Sequence, residues 1–340
     1  MIIKTIDAHV AGEPLRLVVD GFPAPHGRTM LAKREWAARH ADHLRRSLVL
    51  EPRGHADMSG AVLTEPVSPG AHAGVLFFHN EGFSTMSGHG VLAVTTIALE
   101  RGLLLPGGDG ATIVYDTPAG TVRARATMRA GRAGREGGAG SIRVERVSFV
   151  NVPSFVLHAG LPVQLGARHL RADVAYGGAF YAIVDCEAVG LAIEAAHLPE
   201  LRRAGMAIKR AIEVTQTVVH PLDPSVTGID GTIFTGPSHD NGADLRNVAV
   251  FADAGADRSP CGTGTCAVMA VVDAMGLLAG GQAFIHESVI GTRLLGRLAE
   301  RTVVGDYPAI VVEIEGSAWI TGEHIFLVDD DDPLKGGFRL

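Results

Sequence analysis

One eight-residue pattern occurs twice in this chain, and it constrains the fold more than any other feature. Ser87-Gly88-His89-Gly90-Val91-Leu92-Ala93-Val94 and Cys261-Gly262-Thr263-Gly264-Thr265-Cys266-Ala267-Val268 both read x-G-x-G-x-x-A-V, 174 positions apart. Each copy follows a stretch of strand character and a turn, LFFHNEGFSTM and VAVFADAGADRSP, and each opens an apolar, helix-periodic run that breaks at glycine. A single match would be weak. Two in the same strand–turn–helix context predict two structurally equivalent halves.

The rest of the chain fits that plan. Strand character recurs in IIKTIDAHV, LRLVVDG, AGVLFFHNEG, ATIVYDTPAGTVRARATM, IRVERVSFVNVPSFVL, GAFYAIVD, RNVAVFAD and AIVVEIEGSAWITGEHIFLV. Helical periodicity appears in LAKREWAARHADHLRRSLV, GVLAVTTIALERGLL, LPELRRAGMAIKRAIEVTQ and GTCAVMAVVDAMGLLA. Strands outnumber helices and run in hairpins rather than in strict βαβ alternation, so the expected class is α+β. The composition of residues 129–141, RAGRAGREGGAGS, predicts a solvated surface loop.

Net charge is −7 with no long basic run, which argues against nucleic acid or an anionic membrane as a partner. No signal peptide is evident at the N-terminus and no apolar run approaches the roughly 20 residues that cross a bilayer, so a cytoplasmic protein is expected. Three cysteines, Cys186, Cys261 and Cys266, are too few for a disulfide framework and should be free. Fifteen histidines raise the question of a metal, but their spacings match no zinc pattern, and no metal is expected.

The repeated motif carries the chemistry. A G-x-G at a helix start turns backbone N–H groups and the positive end of the helix dipole toward an anion. The complete nucleotide signatures are absent, so a small carboxylate is the better-fitting anion. Cys261 lies at such a start, after Asp257-Arg258-Ser259-Pro260. There the dipole and backbone donors are expected to stabilise its thiolate and lower its pKa well below about 8.5. A thiolate of that kind acts as nucleophile or as general base. Cys266, one turn on, should face the core, and so should Cys186. Ser87 holds the matching position in the other half. A serine there is more often an N-cap than a catalyst; His89 two residues on could activate it, but MSGHG is not the G-x-S-x-G elbow and no acidic partner is identifiable.

At these residues the sequence resembles the proline racemase family, which includes 4-hydroxyproline 2-epimerases and trans-3-hydroxy-L-proline dehydratases. The resemblance runs nearly end to end, through DAHVAGEPLRLV, EPRGHADMSGA, NEGFSTMSGHG, YDTPAG, YGGAFYAIV, DRSPCGTGTCA and ESVIGTRLLGR. It implies the diaminopimelate-epimerase-like fold: two pseudo-symmetric α+β halves, each wrapping a sheet around a central helix, with the active site between them. The expected division is residues 1–124 with 318–340, carrying MSGHG, against residues 125–317, carrying DRSPCGTGTCA.

In the racemases both repeat positions are cysteines, which work on opposite faces of the α-carbon without a cofactor. The resemblance therefore makes Cys261 the second of the pair and puts Ser87 where the first would be. It assigns substrate contacts to Gly88, His89, Asp257, Gly262 and Thr263. Ser59 stands where proline-specific relatives carry a phenylalanine. As a pocket residue it would favour a hydroxylated ring; the other reading is a turn residue.

A serine hydroxyl is a far weaker acid and base than a thiol near neutral pH, so two-way racemisation is handicapped. A one-thiol site suits dehydration of trans-3-hydroxy-L-proline to pyrroline-2-carboxylate, because the 3-hydroxyl shares a ring face with the α-hydrogen. Dehydratases of the family keep the first cysteine and carry threonine at the second position, the reverse of this chain, which keeps 4-hydroxyproline 2-epimerase as the alternative. The expected partner is a small hydroxyproline substrate, with no cofactor, nucleic acid or membrane; a homodimer is left open.

Overall fold

Each copy of the motif opens a buried helix of 13 residues. The computed structural model describes residues 1–105, 112–130, 142–239, 242–251, 254–278 and 280–339. Six α-helices lie among them: α1 (Met30–His40), α2 (Asp42–Val49), α3 (Gly88–Glu100), α4 (Cys186–Val189), α5 (Leu198–Thr215) and α6 (Gly262–Ala274). The chain divides into two compact units, Met1–Phe149 with Glu315–Leu340, and Val150–Ile314.

In the first unit the strands pair in the order Ala318–Leu327, Ile2–Val10, Glu13–Asp20, Ser59–Thr64, Ala73–His79, Thr112–Thr117, Gly120–Ala130. Successive pairings are antiparallel, antiparallel, parallel, antiparallel, parallel, antiparallel. Both end strands touch α3, so the sheet curls around that helix. Val91, Leu92, Val94 and Ile97 of α3 are all at 1% exposure or less. Burying each stabilises the unit by about 1.5–3 kcal/mol relative to leaving it in water. Helices α1 and α2 cover the other side of this sheet, with Met30, Ala37, Leu44 and Leu48 against Leu76 and Phe78.

The second unit repeats the scheme. Its order is Ser154–Leu165, Arg168–Tyr176, Phe180–Asp185, Gly231–Gly236, Leu245–Phe251, Ala283–Ser288, Arg293–Val304, with the same succession of pairing directions. Here α6 is the enclosed helix, touched by both end strands, and α5 packs outside through Ile208 and Ile212 against the cluster of Phe234 and Val250. The equivalence predicted from one short motif thus extends to strand order and pairing direction.

Three sequence expectations need correction. The first unit does not stop at residue 124, because Gly120–Ala130 is the return strand of a hairpin in which Thr112 pairs with Arg125. Glu100 at the end of α3 also binds onward, to the Val144 amide at 2.9 Å and to Arg143 at 3.2 Å. The single helix read in LAKREWAARHADHLRRSLV is two helices, which break at Ala41 (φ −126°, ψ 10°). Several strands carried no recognised signal, among them Ser59–Thr64, Arg168–Tyr176 and Gly231–Gly236. The last is short and bounded by glycine, and only its neighbours on both sides make it a central strand. Most of the predicted loop at 129–141 lies outside the described residues. Among the described residues no helix is long and apolar enough to cross a membrane.

Candidate active site

Ser87 caps α3. Its backbone is extended (φ −145°, ψ 112°) and its Oγ accepts the Gly90 amide at 3.2 Å, so the capping role read from sequence is present. The same Oγ lies 3.4 Å from His89 Nδ1. Gly90 must be glycine for reasons of space: a Cβ there would come within 2.5 Å of the Phe77 ring and 2.8 Å of Ser87 Oγ. Ser59 opens the strand Ser59–Thr64, paired with His79 and therefore not in a turn. The segment before it is fixed by Asn80, whose Nδ2 donates to the Val49 carbonyl at 2.7 Å and whose Oδ1 accepts the Met58 amide at 3.1 Å.

Cys261 caps α6 by the same bond. Its Sγ accepts the Gly264 amide at 3.3 Å, and a Cβ on Gly264 would meet that sulfur at 3.0 Å and Ile233 at 2.8 Å. The backbone differs from that of Ser87: Cys261 sits at φ +63°, ψ 115°. Asp257 is buried, and its Oδ1 accepts the Ser259 amide at 2.8 Å, while Ser259 Oγ accepts the Cys261 amide at 3.1 Å. Gly262 and Thr263 follow in the first turn, both buried. Thr263 Oγ1 is 3.7 Å from the sulfur.

The structure therefore brings Cys261, Gly262, Thr263 and Asp257 together in one unit, and Ser87, Gly88 and His89 together in the other. It adds Tyr181, whose hydroxyl lies 2.8 Å from Thr263 Oγ1 and 3.8 Å from Cys261 Sγ. In the sequence this tyrosine reads only as one apolar position of the strand GAFYAIVD, because nothing local links it to a cysteine 80 residues on.

The electrostatics reverse the sequence expectation for Cys261. Burial pushes its thiol well above the ordinary range, and the nearby Asp257 carboxylate pushes it further. The Gly264 amide and the Thr263 and Tyr181 hydroxyls oppose this and do not outweigh it. At 4% exposure the loss of hydration exceeds what one helix start returns. Burial likewise raises the Tyr181 phenol, which stays protonated and free to donate. Cys266 is fully buried, as predicted, with its thiol pushed up to about 12, and Cys186 is buried in the core of the second unit. Among the described residues no cluster of three or more His, Cys, Asp or Glu could hold a metal.

The proline racemase family matches this chain over residues 5–339. This chain belongs to that family. A trans-3-hydroxy-L-proline dehydratase of Bacillus cereus is 44% identical over 339 residues, covering 100% of this chain and 98% of the relative. A hydroxyproline epimerase of Agrobacterium vitis, solved with bound trans-4-hydroxy-L-proline, superposes with a TM-score of 0.88 at 31% identity, covering 100% of this chain and 95% of that one. A PhzF-family phenazine biosynthesis protein of Bacillus anthracis shares the fold alone, with a TM-score of 0.58 at 13% identity over 96% of this chain and 100% of that one. This member of the proline racemase family is thus an enzyme with the α+β, diaminopimelate-epimerase-like fold.

Proposed function

We propose that the protein dehydrates trans-3-hydroxy-L-proline, with Cys261 as the base. The observation that carries this reading is the single thiol: of two helix starts with the same capping bond, one presents Cys261 and the other Ser87. The 44% identity to a trans-3-hydroxy-L-proline dehydratase supports it. The substrate carboxylate would be held by backbone N–H groups at the start of α6, where donors and dipole favour negative charge. The Cys261 thiolate removes the α-proton. The electron pair of that C–H bond forms the C2–C3 double bond as the C3–O bond breaks. The departing hydroxyl takes the proton back from the thiol on the same face, giving water, the C2–C3 enamine and the thiolate again; tautomerisation of the enamine gives pyrroline-2-carboxylate. One residue thus serves in turn as base and acid. Tyr181 and Thr263 supply hydroxyls beside the sulfur that favour its thiolate. Ser87 transfers no proton in this reading and keeps its capping bond to the Gly90 amide.

The similarity to a hydroxyproline epimerase favours a second reading, 2-epimerisation of trans-4-hydroxy-L-proline, with Ser87 as a second acid or base. The two separate in one experiment. Purified enzyme is incubated in D2O with trans-3-hydroxy-L-proline, trans-4-hydroxy-L-proline or L-proline, and products are followed by NMR. Loss of water from the first substrate, with little inversion of the others, supports the dehydratase. Fast inversion of the second with α-deuteration, and no turnover of the first, would overturn it.

A further inference from the structure

The two helix starts share their capping bond and differ in the backbone that carries it. Ser87 has a relaxed, extended φ, whereas Cys261 is at φ +63°, in the region that residues with a Cβ avoid. Such a conformation costs on the order of 1–3 kcal/mol and persists only where surrounding groups impose it. Those groups are identifiable. The peptide between Pro260 and Cys261 is held at both edges. Its N–H donates to Ser259 Oγ at 3.1 Å. Its carbonyl accepts two bonds, from Asn247 Nδ2 at 2.8 Å and from Thr265 Oγ1 at 3.2 Å.

Thr265 has one hydroxyl proton and gives it to the Pro260 carbonyl, so its oxygen must accept from its other neighbour. That neighbour is His286 Nδ1, 2.9 Å away. His286 is fully buried and burial pushes its pKa down to about 3, which keeps it neutral; as the donor to Thr265 it carries its proton on Nδ1. A directed chain results, from His286 through Thr265 to the Pro260 carbonyl, with Asn247 as the second donor. All three residues are at 0% exposure, so each bond is made away from competing water. The motif of the other unit lacks this device: where α6 has Thr265, α3 has Val91, the same shape without the hydroxyl.

We infer that Asn247, Thr265 and His286 are positioning residues that act through the Pro260 carbonyl to hold Cys261 at positive φ and so set the direction of its sulfur. The inference rests on the assignment of Cys261 as the base. It explains why the unit with the thiol, and not its counterpart, carries an imposed backbone. The direction of a base toward a carbon-bound proton is where small angular errors are most costly.

The test compares Thr265→Val with Thr265→Ser. Valine already occupies the equivalent buried place in α3, and serine restores the hydroxyl. Two quantities are measured: kcat and KM for trans-3-hydroxy-L-proline, and the rate of Cys261 alkylation by iodoacetamide, read by peptide mass spectrometry with Cys186 and Cys266 as internal references. The valine variant is expected to lose about 10–100-fold in kcat with KM within about threefold, and to change Cys261 alkylation at least about threefold. The serine variant should return both to near the parent values. Valine and parent alike in kcat and alkylation, or serine as impaired as valine, would overturn the inference. Should Thr265→Val fail to fold, His286→Leu against His286→Asn, which keeps a donor at the Nδ1 position, gives the same two outcomes. If alkylation responds while no protein, parent included, turns over the substrate, the clamp stands and the proposed function falls.

Discussion

Ser87 Oγ and Cys261 Sγ each accept the backbone N–H three residues ahead, at 3.2 Å from Gly90 and 3.3 Å from Gly264. Oxygen in one unit and sulfur in the other thus hold one structural office. The cap is therefore no guide to which of them does chemistry; the chemistry follows from the atom itself. Near neutral pH a serine hydroxyl is a far weaker acid and base than a thiol.

Cys261→Ser should lower kcat at least about 1000-fold while the protein stays folded, because serine preserves the cap at Gly264 and removes the base. Cys266→Ser should do the reverse. It places a hydroxyl in a site at 0% exposure, costing about 1–3 kcal/mol of stability with kcat little changed. Steady-state kinetics and thermal melting on both variants check the pair. Normal turnover by the Cys261 variant would remove it as the base.

Ser87→Ala should cost about 1 kcal/mol through loss of the cap and keep most of the dehydratase activity. Ser87→Cys places a second thiol at the equivalent helix start, and epimerisation of trans-4-hydroxy-L-proline should rise, with solvent deuterium at the α-position of the inverted product. An alanine variant inactive on trans-3-hydroxy-L-proline, joined to a cysteine variant with no epimerase gain, would make Ser87 itself an essential acid or base.

Activity should climb with pH on its acidic side and level off only above the ordinary thiol range, because burial and Asp257 raise the Cys261 thiol. Tyr181→Phe removes a hydroxyl that favours the thiolate and should move this limb to still higher pH. Folding follows the same sign. The folded state keeps a proton that the unfolded chain releases, so the stability from this group is complete below the unfolded thiol pKa and declines as pH rises above it. Profiles of kcat/KM for parent and variant measure the shift; a limb that moves down in Tyr181→Phe would contradict the assigned donor.

His286 gives the opposite sign at the acidic end. Its folded pKa, about 3, lies far below that of an exposed histidine, near 6.5. Between these values the unfolded chain binds a proton that the folded protein refuses, so stability present above pH 6.5 drains away as pH falls toward 3. Melting temperature should fall over this window, and the fall should be shallower in His286→Asn. An equal slope in the two proteins would place the acid sensitivity elsewhere.

The two halves, the helix starts at Ser87 and Cys261, the α+β class and the family were all legible in the order of the residues. Each of these follows from short-range pattern: an N-cap is settled by residues within one turn, and a repeated x-G-x-G-x-x-A-V carries its own register. Glycines at 90 and 264 were legible too, although the reason for them, contact with Phe77 and Ile233, was not. The state of the thiol was not, because it is set by what packs around the sulfur. Local pattern predicted a lowered pKa from the helix start; the fold buries the sulfur, sets Asp257 beside it and raises the pKa instead. Likewise, Tyr181, Asn247 and His286 reach the Cys261 segment from strands separate in sequence. Hydrogen bonding at a helix end depends on neighbours in the chain, whereas desolvation and backbone strain depend on everything packed around it.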